Sequence, residues 1–90
     1  MLMFHYVYII YSKKFDKYYK GYSTEPFRRL EQHNSGESRY TSSFIPWDLV
    51  FIQSFTDKKA ALRREKSLKK YSKEQIRVLI NSTINELNSS

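Results

Sequence analysis

The chain has 90 residues, enough for one small domain with no room for a second. Apolar residues make up 40% and aromatics 17%, too many for a disordered chain, so the core draws largely on eight Tyr, six Phe and one Trp. The absence of Cys excludes a disulfide partner, a Cys-ligated zinc ribbon and a thiol nucleophile, and fits a reducing, cytoplasmic setting. Sixteen Lys and Arg against nine Asp and Glu leave a net charge of +7, which points either to a polyanionic partner, most often nucleic acid, or to a basic surface that only aids solubility.

The longest unbroken apolar run, Tyr6 to Tyr11, falls far short of the ~20 residues that cross a bilayer, so no membrane partner is expected. Met1 to Tyr11 has no preceding positive charge and no small-residue cleavage site, and reads as a strand rather than a signal peptide. Phe4 to Tyr11 is β-branched or aromatic on both faces, which predicts a central strand covered on each side. Ser12 to Lys17 is a short hairpin loop, and Tyr18 to Tyr22 a second strand. Gly21 inside that strand marks either a bulge or a place where something approaches the backbone closely.

Thr24-Glu25-Pro26 opens a helix with a capping hydroxyl and Pro in the first turn. Phe27 and Leu30 supply its apolar contacts, and Gly36 supplies a left-handed stop. Glu37 to Pro46 is a polar loop of ten residues, a length that often signals function. Trp47 to Phe55 is a third strand. Asp57 caps a second helix through about Tyr71, with an apolar stripe of Ala61, Leu62, Leu68 and Tyr71. Ser72 to Gln75 is a capping box, so a third helix follows, burying Ile76, Leu79 and Ile80. The tail from Asn81 is polar enough to fray. The order strand, strand, helix, strand, helix, helix predicts an α+β fold, with a small antiparallel three-stranded sheet flanked by helices.

Several side chains in this frame could carry chemistry. Glu65 lies within the apolar stripe of the second helix, where a carboxylate is costly unless paired or metal-bound. Either an ion pair with a neighbouring Arg or Lys, or a metal ligand facing a cleft, satisfies it. Arg29 and His33, four apart, share a helix face. That face is either solvated, with Glu25 and Gln32, or a phosphate-binding Arg beside a His that moves protons or orients water. Tyr8 and Tyr19 can face the same side of a hairpin, as ordinary packing or as a site. Between Asp57 and Arg77 lie nine of the sixteen positive charges against three acids. Such a surface is either merely solvated or binds a phosphate backbone through counterion release.

Taken in order, Val7-Tyr8-Ile9, Tyr19-Lys20-Gly21, Arg29, His33 and Glu65 resemble the motifs of the GIY-YIG nuclease superfamily. More narrowly, the chain resembles its small single-domain, excinuclease-subunit-like bacterial members. Glu31-Gln32-His33-Asn34-Ser35-Gly36, Arg39-Tyr40-Thr41 and Ala61-Leu62-Arg63-Arg64-Glu65-Lys66 are similar to stretches typical of that group. Tyr6 stands where the first motif has Gly, and Lys20 where the second has Ile. The family's late Asn motif has no assigned position.

The resemblance implies a nuclease-like domain over residues 3–81, followed by a polar extension over 82–90. It implies metal-dependent cleavage of a nucleic-acid phosphodiester, DNA being favoured, in repair or in processing of unusual structures. Tyr8 would be the general base, Tyr19 would shape the site, Arg29 would stabilise the phosphate and His33 would orient water or assist proton transfer. Glu65 would hold one divalent cation, Mg²⁺ or Mn²⁺, since such ions are often bound through one or two carboxylates. Gly21, Arg39, Tyr40, Thr41, Arg63, Arg64, Lys66, Lys69 and Lys70 are the expected nucleic-acid contacts. The alternative is a nucleic-acid-binding module with the same fold and little or no turnover.

Overall fold

The computed structural model describes residues 3–88. The first two residues of the N-terminal apolar stretch and the last two of the polar extension lie outside them. Three strands, β1 (His5–Ser12), β2 (Lys17–Ser23) and β3 (Asp48–Phe55), and three helices, α1 (Pro26–Asn34), α2 (Lys58–Leu68) and α3 (Lys73–Ile80), follow in the order β1-β2-α1-β3-α2-α3. The sheet is antiparallel with order β2-β1-β3. The two apolar faces of β1 account for its central place, because only a central strand is covered on both sides.

Each face has its own core. Val7 and Ile9 meet Phe51, with Ala61 and Leu68 of α2 and Ile76 and Leu79 of α3. Tyr8 and Ile10 point the other way, to Ile52, Trp47 and Leu30. Each aliphatic side chain buried this way contributes roughly 1.5–3 kcal/mol before conformational entropy is counted. Opposite Ile9 and Ile10, β3 carries a bulge: Phe51 pairs with Ile9 and Leu49 with Ile10, leaving Val50 extra.

The turns follow their residues. Asp16 sits in the left-handed region at φ 52 between β1 and β2, a conformation Asp tolerates. Lys73 donates to its carbonyl at 2.9 Å and its carboxylate at 2.8 Å, and the Tyr11 hydroxyl donates to the same carboxylate at 2.9 Å. Gly36, at φ 83, ends α1. Its N–H bonds the His33 carbonyl, and the Glu37 N–H bonds that of Gln32, the paired bonds of a Schellman stop. Asp57 caps α2, and the Ser72–Gln75 box caps α3, both as expected.

Four local expectations change. Thr24 does not cap α1; Ser23 Oγ accepts the Glu25 N–H at 2.9 Å instead, and Pro26 brings no N–H that needs a partner. Phe27 is 61% exposed, because the inward stripe of α1 runs through Pro26, Leu30 and His33 at helical spacing. Leu62 is 40% exposed for the same reason: it lies one residue round from the Ala61–Leu68 stripe. Helix α2 stops at Leu68, where Lys70 and Tyr71 turn back to the carbonyls of Ser67 and Leu68.

The polar extension is packed in its described part. Asn85 is 1% exposed. Its side chain accepts from the N–H of Ile52 at 3.1 Å and donates to the carbonyls of Val50 and Ile80 at 2.8 and 2.9 Å. The carboxylate of Glu86 takes the Ser54 N–H at 2.6 Å. One amide side chain thus ties the tail, α3 and β3 together. Asn85→Ala leaves a buried N–H without its acceptor, so urea denaturation should show a loss of about 2–3 kcal/mol. A loss below about 0.5 kcal/mol, the range of surface substitutions, would mean the tail carries no stability.

Candidate active site

The site is organised around the Tyr8 hydroxyl. Tyr8 pairs with Gly21 across the β1–β2 ladder, and Ile10 with Tyr19, which puts both Tyr on one face. Tyr8 is 1% exposed, and its ring lies across β2 at the one residue without a side chain. A Cβ at Gly21 would collide with Cζ and the hydroxyl of Tyr8. What approaches the Gly21 backbone is therefore Tyr8, and buried Gly21 is not the nucleic-acid contact expected of it. Lys20, between Tyr19 and Gly21, pairs with Ile9 and faces the opposite side.

His33, fully buried on α1, meets this hydroxyl. Its Nε2 lies 2.9 Å from the Tyr8 oxygen, and its Nδ1 lies 2.8 Å from Thr41 Oγ1. The Thr41 hydroxyl donates to the Ser38 carbonyl at 3.4 Å, so its oxygen can accept from the imidazole. That assigns the tautomer: Nδ1 carries the proton and Nε2 accepts from Tyr8. Tyr19 presents its ring to His33 at 5.1 Å between centroids, with the planes 60° apart.

Thr41 is wholly buried and positions His33; it is not on the surface where a nucleic-acid contact was expected. Its place is held from outside the site. Trp47 Nε1 donates to the Thr41 carbonyl at 2.9 Å, while Asn34 exchanges two hydrogen bonds with the Trp47 backbone, at 2.9 and 2.6 Å. Sequence reasoning missed these supports. The signals for Asn34 are its place next to His33 and its membership of the stretch Glu31 to Gly36 that resembles the family.

Charge and burial set the protonation states. Burial, and then the Arg29 guanidinium, lower the His33 pKa to about 4. Burial raises that of Tyr8; Arg29, as hydrogen-bond donor and positive charge, pulls it back, and Tyr19 and Glu65 push it up further. Burial wins, so phenol and imidazole are both neutral at pH 7. Arg29 is half-buried, and its Nη1 donates to Gln32 Oε1 at 2.6 Å.

Glu65 comes from α2 and is felt at the Tyr8 hydroxyl. Its side chain is 19% exposed, and its ion pair is with exposed Lys69 at 3.7 Å. A pair this long, with its cation in solvent, contributes little and leaves carboxylate oxygen for another cation. Among the described residues no group of three or more His, Cys, Asp or Glu gathers to form a metal cage. A single carboxylate is a hard oxygen donor of the type divalent cations take, with water and substrate oxygens completing the shell.

The remaining expected contacts divide. Arg39 and Tyr40 are exposed on the loop, and Arg63, Lys66, Lys69 and Lys70 on or just after α2. Arg64 is not with them. It is half-buried, donates to Gln53 at 3.1 Å and to the Tyr71 hydroxyl at 3.3 Å, and stacks over Tyr71.

A small antiparallel sheet with paired Tyr on one face, an Arg–His helix beside them and a Glu on a later helix defines a GIY-YIG nuclease-like domain. The family model described as the GIY-YIG catalytic domain matches residues 4–77. The chain is 40% identical over 73 residues to a UPF0213 protein of Haloquadratum walsbyi, covering 80% of this chain and 81% of that one. It is 39% identical over 72 residues to a UPF0213 protein of Staphylococcus haemolyticus, covering 79% and 87%. The solution NMR structure of a UPF0213 protein from Bacillus halodurans is similar over 94% of this chain and 90% of that one, with a TM-score of 0.58 and 34% identity. The chain belongs to the GIY-YIG family, among the small single-domain UPF0213 proteins.

Two measurements test this arrangement. Gly21→Ala forces Tyr8 off β2 and should cost about 1–3 kcal/mol in urea denaturation; an unchanged midpoint would contradict the contact. The lowered pKa of His33 means the unfolded chain binds a proton that the folded one refuses. Its contribution is complete above pH 6.5 and is lost as pH falls toward about 4. The loss over that window is up to about 3 kcal/mol, and His33→Gln should flatten it. Equal slopes in the two proteins would show that His33 titrates normally.

Proposed function

We propose that this protein is a divalent-metal-dependent endonuclease that hydrolyses nucleic-acid phosphodiesters, with DNA favoured and a role in repair or in processing unusual structures. The observation that carries the reading is the buried Tyr8–His33 hydrogen bond at 2.9 Å, with the Tyr19 ring against the same imidazole and the Arg29 charge bearing on both partners.

The protein groups supply a proton path. A water held against the Tyr8 oxygen passes its proton there while Tyr8 passes its own to His33 Nε2. No free phenolate forms, which matters because burial holds the phenol protonated. The water oxygen bonds to phosphorus, the bond to the leaving oxygen breaks, and solvent protonates that oxygen. Arg29 pairs with the phosphate and stabilises the charge that develops on it. Once so paired, Arg29 weighs less against an imidazolium, and the phosphate charge favours one. Thr41 holds the imidazole in register throughout. Glu65 would hold Mg²⁺ or Mn²⁺, which supplies Lewis-acid charge to phosphate oxygen when bound. The exposed cations on and just after α2, among them Arg63, Lys66, Lys69 and Lys70, provide salt-sensitive grip on the backbone.

The test is nicking of duplex, flap, junction and single-stranded substrates with Mg²⁺ or Mn²⁺. Tyr8→Phe and Glu65→Gln, each confirmed folded by circular dichroism, should lower the rate by roughly 10²–10⁴-fold. Equal rates in wild type and Glu65→Gln would assign the activity elsewhere. Salt-dependent binding with no cleavage under either cation would make the protein a binding module instead.

A further inference from the structure

We propose that the outer edge of β2 carries a nucleobase-stacking subsite, built on Tyr40 and Phe15, for an unpaired stretch of nucleic acid next to the phosphate that is cut. The proposal rests on the nuclease reading for its substrate class. It stands on an aromatic path that leaves the site and reaches solvent.

The path starts at Tyr19, whose ring faces His33. Tyr40 lies 6.1 Å from Tyr19, Phe44 lies 5.6 Å from Tyr40, and Phe15 lies 5.4 Å from Phe44. The inner rings are half-buried, but Tyr40 is 58% and Phe15 42% exposed. What sets these rings apart from other exposed apolar side chains is that they continue one chain of ring contacts from Tyr19 to solvent. The β1–β2 turn that presents Phe15 is fixed by the bonds from Lys73 and Tyr11 to Asp16.

Charge follows the same edge. Beside Tyr40 runs an open groove of about 190 Å³, lined by Lys17, Lys20, Tyr71, Lys73 and Asp16. It is smaller than pockets that enclose a small molecule, and suits a strand laid across it. Lys17 stands over the Phe44 ring at 5.1 Å and Lys14 over Phe15 at 5.6 Å. The groove's one acid, Asp16, is already paired with Lys73 at 2.8 Å. Lys20 is half-buried, and burial lowers its pKa, a penalty that a phosphate would offset. Among the described residues no carboxylate pairs with it. Exposed rings beside lysines are what a single strand needs: its phosphates meet the cations and its bases lie flat on the rings. A duplex keeps its base faces stacked within itself and gains nothing from the rings.

The experiment is fluorescence anisotropy in EDTA, so that binding is read without cleavage. The probes are a labelled oligothymidylate, an abasic strand of equal length and a blunt duplex. Tyr40→Ala should weaken oligothymidylate binding about tenfold or more while leaving the abasic strand and the duplex within about twofold. Tyr40→Phe should restore it, and Phe15→Ala should lower it in the same selective way. Equal losses on all three probes, or no loss on oligothymidylate, would overturn the subsite. A protein that shows this selectivity yet never nicks DNA would keep the subsite and lose the nuclease reading.

Discussion

The hydrogen bond between the Tyr8 hydroxyl and His33 Nε2 is the constraint on which the site depends. It exists because three local facts coincide. Gly21 leaves room for a phenol to cross β2. The inward stripe of α1 ends on a histidine rather than an aliphatic side chain. Thr41, which opens a short 3-10 turn over Thr41–Phe44, takes the other imidazole nitrogen. Without the glycine the ring moves; without the threonine the imidazole has no reason to choose one tautomer.

Burial makes this bond more than packing. In water a phenol and an imidazole would titrate independently. Here desolvation drives the two pKa values apart, with Tyr8 raised and His33 lowered to about 4. The pair rests neutral, with the proton on oxygen. Arg29 acts on both members, lowering each. In the proposed mechanism, a phosphate that engaged Arg29 would therefore change the charge felt by both partners, on top of the larger effect of burial.

Much of the fold is legible in the chain, because the signals are local. The two apolar faces of Tyr6 to Tyr11 make a central strand, Asp57 and Ser72 start helices, and Gly36 ends one. Gly21 is legible as a close approach but not as to what approaches, since that depends on the strand register. The residues that hold the site are hidden for a different reason. Thr41, Asn34 and Trp47 lie at the edges of three different elements, a 3-10 turn, the last residue of α1 and the approach to β3, and meet through hydrogen bonds that no hydrophobic period signals. Asn85 lies in a polar tail, and only a free N–H on β3 makes it a core residue. Hydropathy picks Phe27 over His33 as the buried residue of α1, and the structure reverses this because the stripe follows helical spacing, not apolarity. Glu65 shows the two readings of a half-buried carboxylate meeting in one residue. It is paired with Lys69, yet loosely, and it is sensed at Tyr8.

The direct test is the tautomer of His33. Long-range proton–nitrogen correlation spectra at neutral pH should show a neutral ring with the proton on Nδ1 and a bare, hydrogen-bonded Nε2. Tyr8→Phe should move the Nε2 resonance while Nδ1 stays protonated. A ring protonated on Nε2, or an imidazolium at neutral pH, would contradict the proton path and the mechanism built on it.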